Sequence, residues 1–254
     1  MKQAIILWIG SFVVIFLTGY LQRLTSPEYP ISATIGIEGK RITYSMNRIY
    51  IGDKNYNFTI NSEISNIEGI LQWKKISDTE WNQNKKNTQN GILNFEIPKQ
   101  KPFTKILYRI KLISNNKPYF IPTERPVTLE FYGKVPVSII IYFYLTLYGG
   151  IILAVRTGLE YFRENNRIKM FSIFTAIFFF VFAFAFTPIK RIYEAGEIGT
   201  IVLPITYIFQ WWSAALFLLW TVIMVLVFNL KKNKIIPLIG AVLTLIIFLI
   251  QNFV

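Results

Sequence analysis

Residues 127–155, VTLEFYGKVPVSIIIYFYLTLYGGIILAV, change their periodicity halfway along. Val127, Leu129 and Phe131 alternate with Thr128, Glu130 and Tyr132, the two-residue repeat of a strand with one buried face. From Val137 to Val155 there is no acidic or basic residue, and the run reaches the roughly 18 apolar residues that a helix needs to cross a bilayer. Only Gly133, Lys134, Val135 and Pro136 separate the two patterns. A strand-built domain is therefore predicted to pass into a membrane span with no flexible linker, which makes Tyr132 and Lys134 candidate anchors at headgroup depth.

Four more apolar stretches approach or pass the same length: Ala4–Leu21, Phe171–Ile189, Phe209–Leu230 and Ile235–Phe253. A chain that is 53% hydrophobic and 17% aromatic with only 16% charged residues is too apolar for one water-soluble core. The expected plan is an N-terminal transmembrane anchor (1–21), a β domain (22–136) and a four-helix transmembrane domain (137–254). The fold class this predicts is an α+β membrane protein, with an immunoglobulin- or fibronectin-like β-sandwich inserted between the first span and a four-helix bundle. A cleaved signal peptide is the alternative for the first stretch, but no small-x-small cleavage site follows it, and a retained anchor is preferred.

Loop charge sets the expected orientation. Lys2, Arg156, Arg163, Arg167, Lys169, Lys231, Lys232 and Lys234 all fall on one side of the alternating spans, which predicts that side to be cytoplasmic. The β domain then lies outside the cytoplasm, as does the short stretch IKRIYEAGEIG at 189–199. The net charge of +13 follows this partition rather than clustering as a nucleic-acid footprint, so no nucleic-acid partner is expected.

Alternation recurs throughout the middle segment. Ile31, Ala33, Ile35 and Ile37 share one face, and Ile106, Tyr108, Ile110 and Leu112 share another opposite Lys105, Arg109 and Lys111. Gly52–Asp53, the NQNKKNTQNG stretch at 82–91 and SNNKP at 114–118 read as turns, giving seven or eight short antiparallel strands. Trp73 is expected to fill the core, and Trp81, beside a polar loop, is the candidate surface contact.

The absence of cysteine and histidine excludes disulfides, thiol nucleophiles, cysteine–histidine zinc sites, His-ligated haem and serine–histidine relays. No cofactor or metal is expected, and the carboxylates of the β domain show no spacing that pairs an acid with a base. Trp211 and Trp212 are read as interface anchors of an aromatic belt. Lys190, Arg191, Glu194 and Glu197 are the candidate outer docking or gating cluster, followed by an apolar 198–208 segment that is either interfacial or re-entrant.

Four blocks, RLTSPEYPISATIGIEGK, GILNFEIPKQKPFTKILYRIKL, VTLEFYGKVP and RTGLEYF, resemble an uncharacterised family of bacterial membrane proteins. The resemblance implies a bacterial source, an N-terminal anchor, an extracytoplasmic β domain and a helical C-terminal half. Relatives in that family carry a histidine in the second span and a polar Asp/Asn-rich segment between the third and fourth. This chain has neither, so the resemblance brings no metal, haem or polar-substrate role with it.

The preferred expectation is a non-enzymatic protein of the bacterial cytoplasmic membrane, with a β-sandwich that binds or scaffolds an envelope protein partner or a second copy of the chain. Two alternatives stay open: a small oligomeric transporter or channel gated by the outer loop 188–208, and a membrane enzyme acting on lipid or glycan through Glu194 or Glu197.

Overall fold

The computed structural model describes residues 2–62, 64, 67–88, 91–164, 167–196, 203–230 and 234–252. The chain is mixed α and β, with a β-rich middle and apolar helices on either side of it in sequence. It divides into two compact units. A helical unit takes Met1–Pro27, Val135–Tyr193 and Glu197–Val254, and a β unit takes Glu28–Lys134 together with Glu194–Gly196.

The helical unit contains α1 (Lys2–Thr25), α2 (Val137–Leu159), α3 (Ile168–Val181), α4 (Thr187–Glu194), α5 (Ile205–Ile208), α6 (Trp211–Asn229) and α7 (Ile235–Ile250). Four helices among the described residues are long and apolar enough to cross a membrane: Lys2–Thr25, Val137–Phe162, Ile168–Glu194 and Trp211–Asn229. Of the five predicted spans, the last forms an apolar helix of 16 residues, Ile235–Ile250, which is shorter than the other four. A 3₁₀ turn, Glu160–Phe162, extends α2, and a π-turn over Phe182–Phe186 joins α3 to α4.

Close packing in this unit depends on small residues. A Cβ on Gly150 would lie 2.8 Å from the Phe179 ring, and one on Gly158 would lie 2.6 Å from the Ala241 Cβ, so α2 approaches both α3 and α7 where it lacks side chains. Gly149, where a Cβ would lie 2.5 Å from the Phe178 ring, faces α3 in the same way. Trp220 is fully buried, and its indole N–H donates to Thr244 Oγ1 at 2.8 Å, which satisfies the one polar atom on that side chain. On α1, Ser11, Ile15 and Thr18 are buried, and both hydroxyls donate to carbonyls one turn back.

The β unit has ten strands: β1 (Ile31–Ile37), β2 (Lys40–Met46), β3 (Ile49–Ile51), β4 (Tyr56–Asn61), β5 (Glu68–Lys75), β6 (Asn82–Asn87), β7 (Ile92–Ile97), β8 (Lys105–Ser114), β9 (Lys117–Ile121) and β10 (Val127–Tyr132). β1–β2 and β4–β7 form two-stranded sheets. The third sheet runs β3-β10-β8-β5-β6, with β9 also paired to β8. All pairings are antiparallel except β3 with β10, which is parallel.

β8 organises the core because strands flank it on both sides. Its Ile106, Tyr108, Ile110 and Leu112 are all fully buried, each contributing about 1.5–3 kcal/mol of transfer free energy. The alternate residues of β2, β4, β7 and β10 join the same cluster, and Trp73 is half-buried against it. Two tight turns use left-handed backbone: Glu38–Gly39 (φ 51° and 77°) between β1 and β2, and Asn115–Asn116 (φ 47° and 61°) between β8 and β9.

Two stretches depart from the sequence reading. Asn82–Asn87, expected as a turn, is a strand paired with β5 from Glu68↔Asn87 to Trp73↔Asn82. Its side chains are almost all exposed, so the backbone ladder holds it rather than an apolar face, and such a polar, lysine-bearing strand suits a sheet edge. The second helix also continues past Val155, carrying Arg156 and Glu160 into the bundle instead of releasing them to a loop.

Candidate functional site

The predicted outer cluster is divided between the two units. In the helical unit, the Lys190 ammonium lies 4.9 Å from the Phe143 ring centroid and the Arg191 guanidinium 4.8 Å from that of Tyr207, both within cation–π range. Glu194, at the last position of α4, is buried and groups with the β unit, where its carbonyl accepts the Gly133 N–H at 2.8 Å. Gly196 follows with φ 72°, and a Cβ there would meet the Pro102 ring at 2.6 Å, so both the turn and the close approach call for glycine. Glu197 and residues 198–202 lie outside the described residues. Ile205–Ile208 is a single helical turn.

The predicted anchors also differ from one another. Tyr132 is half-buried, edge-on to Phe103 at 5.7 Å, and Lys134 is exposed at 4.0 Å from Asp53. Burial first, then the neighbouring Glu130 carboxylate, pushes the Tyr132 phenol well above its ordinary value, with Glu194 and Glu28 adding to the effect. Trp211 is exposed, whereas Trp212 is buried against Phe182 at 5.2 Å. Adjacent helical residues point about 100° apart, so only one of the pair faces outward.

Trp81 is half-buried beneath two cations. The Arg109 guanidinium sits 4.9 Å from the Trp81 ring centroid and 4.8 Å from that of Phe120, and Lys74 lies 5.5 Å from Trp81. Arg109 Nε donates to Gln72 Oε1 at 2.8 Å across the β5–β8 pair, and Lys74 Nζ donates to the Asp78 carbonyl at 3.0 Å. These groups lie on the side of the six-stranded sheet opposite the core, because the even-numbered residues of β8 are the buried ones. Two other cations there are neutralised: Lys85 pairs with Glu68 at 2.7 Å and Lys105 with Glu130 at 3.4 Å.

The helical unit contains a buried ionic knot that loop-charge reasoning passed over. Arg156 is 1% exposed and Glu160 is fully buried, with Arg156 Nη2 2.5 Å from Glu160 Oε1. The same carboxylate accepts Arg163 Nη1 at 3.2 Å and the Arg167 backbone N–H at 2.8 Å. The guanidinium lies 5.4 Å from the ring centroid of Trp8 on α1 and 5.0 Å from that of Phe171 on α3. Among the described residues Arg156 Nε and Nη1 have no hydrogen-bond acceptor, and two aromatic rings lie near the cation beside Glu160. Lys234 Nζ closes the cluster through the Arg163 carbonyl at 2.7 Å. The signal in the sequence was the i, i+4 and i, i+3 spacing of Arg156, Glu160 and Arg163, which places all three on one helical face.

No group of three or more histidine, cysteine, aspartate or glutamate residues among those described is placed to hold a metal ion. No protein-family model matches the chain. A comparison with curated proteins also finds no match.

Proposed function

We propose that this chain is a multi-pass protein of the bacterial cytoplasmic membrane whose β unit, placed outside the cytoplasm, presents a binding surface that scaffolds a protein partner in the envelope. The observation that carries this reading is the Lys74–Trp81–Arg109–Phe120 ladder. It orders two cations on the outward side of a sheet whose opposite side already supplies the core. A long side chain clamped between rings has lost its rotamer freedom before any partner arrives, which favours recognition.

The finer architecture belongs to the same proposal. Alternate residues of all three sheets converge on one cluster, which favours a sandwich of immunoglobulin or fibronectin type. The basic residues at 2, 163, 167, 169 and 234 favour a cytoplasmic N-terminus. Crosslinking in native membranes followed by co-purification tests the scaffold role: a specific partner is expected, and a chain that remains solitary under all crosslinkers refutes it. Protease shaving of spheroplasts tests orientation, with cleavage expected within 22–136.

A second reading has a specific observation behind it. An ionic group buried among membrane helices, together with a π-turn in a neighbouring helix, is the kind of feature that marks a transport path. Solute flux in liposomes that is abolished by Glu160→Gln would favour it over the scaffold.

A further inference from the structure

The outer side of the six-stranded sheet carries a group of cations with no acidic partner among the described residues. Arg109 and Lys111 are two residues apart on β8 and therefore share a face, and Lys74 on β5 pairs with Leu107 one step earlier. Their levels along the strand are thus 107, 109 and 111, with successive steps of about 6.8 Å. Among the described residues no carboxylate lies within 4.0 Å of any of the three.

Arg109 is the centre of the group, and its geometry defines what it accepts. Two aromatic ring centroids lie 4.9 and 4.8 Å from its guanidinium, and Nε is engaged by Gln72, which leaves the Nη edge as a two-pronged donor. Such a fork matches a planar carboxylate or a phosphate. Arg109 already lies over Trp81 and Phe120, and Lys74 over Trp81, so the aromatic surface at this place is dressed with cations. The cations, and the spacing between them, define the first recognition such a surface offers.

We infer that Arg109, flanked by Lys74 and Lys111, is the docking site for an extended acidic segment of a partner protein bearing carboxylates at every second residue. The spacing argues for this occupant: alternate side chains of an extended peptide also repeat at about 6.8 Å, so two carboxylates fall in register with Arg109 and Lys111 on β8, and a third comes level with Lys74, one strand spacing of about 4.8 Å to the side on β5. This inference rests on the scaffold reading above and specifies the chemistry of its partner.

The test uses the full chain in neutral-lipid nanodiscs and a fluorescent peptide of alternating Glu and Thr. Controls are a peptide of the same composition with its glutamates in one block, inorganic polyphosphate, and vesicles rich in phosphatidylglycerol. The alternating peptide should bind with an affinity that falls steeply with salt, and the block peptide should bind more weakly. Arg109→Lys, which keeps charge but loses the fork, should weaken binding about tenfold. Trp81→Leu should do the same by freeing the guanidinium. Lys111→Gln, at a half-exposed position, provides a variant that does not disturb the ladder and should also weaken binding.

Equal affinity for block and alternating peptides would overturn the inference. So would undiminished binding to folded Arg109→Lys and Lys111→Gln, or polyphosphate or anionic vesicles outcompeting the peptide. A crosslinked partner with no acidic segment would overturn this inference while leaving the scaffold role standing. Peptide binding by a chain that captures no partner in membranes would refute the scaffold role alone.

Discussion

Replacing Glu160 with alanine should be among the most damaging single changes in the helical unit. The residue is fully buried and takes three donors: Arg156 Nη2, Arg163 Nη1 and the Arg167 N–H. Deleting it strands a guanidinium that is 1% exposed and already has two nitrogens without acceptors. Removing one member of a buried pair costs about 3–5 kcal/mol, so a loss near 4 kcal/mol, or a roughly thousandfold shift in the folding equilibrium, is expected. Removing both charges is a different matter. Arg156→Met with Glu160→Leu keeps the volume, keeps apolar contact with Trp8 and Phe171, and strands no fully buried charge, because the Arg163 side chain that loses its partner is 22% exposed and Arg167 is exposed to water. That double variant should recover to within about 1 kcal/mol of the parent. Helical circular dichroism during unfolding of mixed micelles by dodecyl sulfate gives both numbers. A Glu160→Ala loss below about 1 kcal/mol, or a double variant as unstable as the single, would refute the view of this cluster as a desolvated ion pair.

Alkaline pH should destabilise the β unit late and cooperatively. Burial holds the Tyr56, Tyr108 and Tyr132 phenols above the ordinary value of 10, so stability is intact below pH 10 and falls as pH rises beyond it, where only the unfolded chain ionises. Phenolate absorbance should therefore rise together with the unfolding signal, and Tyr132→Phe should reduce its amplitude. Gly158→Leu should force α2 from α7, because even a Cβ meets Ala241 at 2.6 Å; a loss of about 1–3 kcal/mol, read by the same micelle titration, is expected. Asn116→Val should cost about 1–2 kcal/mol in thermal melts of the β unit, because φ is 61° there, while Asn116→Gly should be neutral or stabilising.

Much of the fold was legible because its signals are local. Uninterrupted apolar runs became helices, and strict alternation in β8 became the buried ladder of Ile106, Tyr108, Ile110 and Leu112. β6 was hidden because backbone pairing to β5, not side-chain patterning, makes it a strand. The two charged constellations were hidden for a different reason. Arg156 reads as a loop cation until Trp8 and Phe171, far from it in sequence, close over its faces. Arg109 reads as one lysine-like surface charge among many until the segment after β5 delivers Trp81 and β9 delivers Phe120 to either side of it. Of the cluster predicted at 190–197, Lys190 and Arg191 rest on aromatic rings in one unit and Glu194 belongs to the other, a division that no local pattern encodes.

The wide turn at Phe182–Phe186 acts as a rotational offset in an otherwise regular rod. One surplus residue per turn advances the downstream helix by about 100°, which decides the compass bearing of everything after it. With that offset, Phe186 stacks on Tyr142 at 5.3 Å and Lys190 lies over Phe143. Excising one of the five residues would shorten the rod by only about 1.5 Å, yet it would swing the whole basic segment to a new azimuth and break both contacts at once.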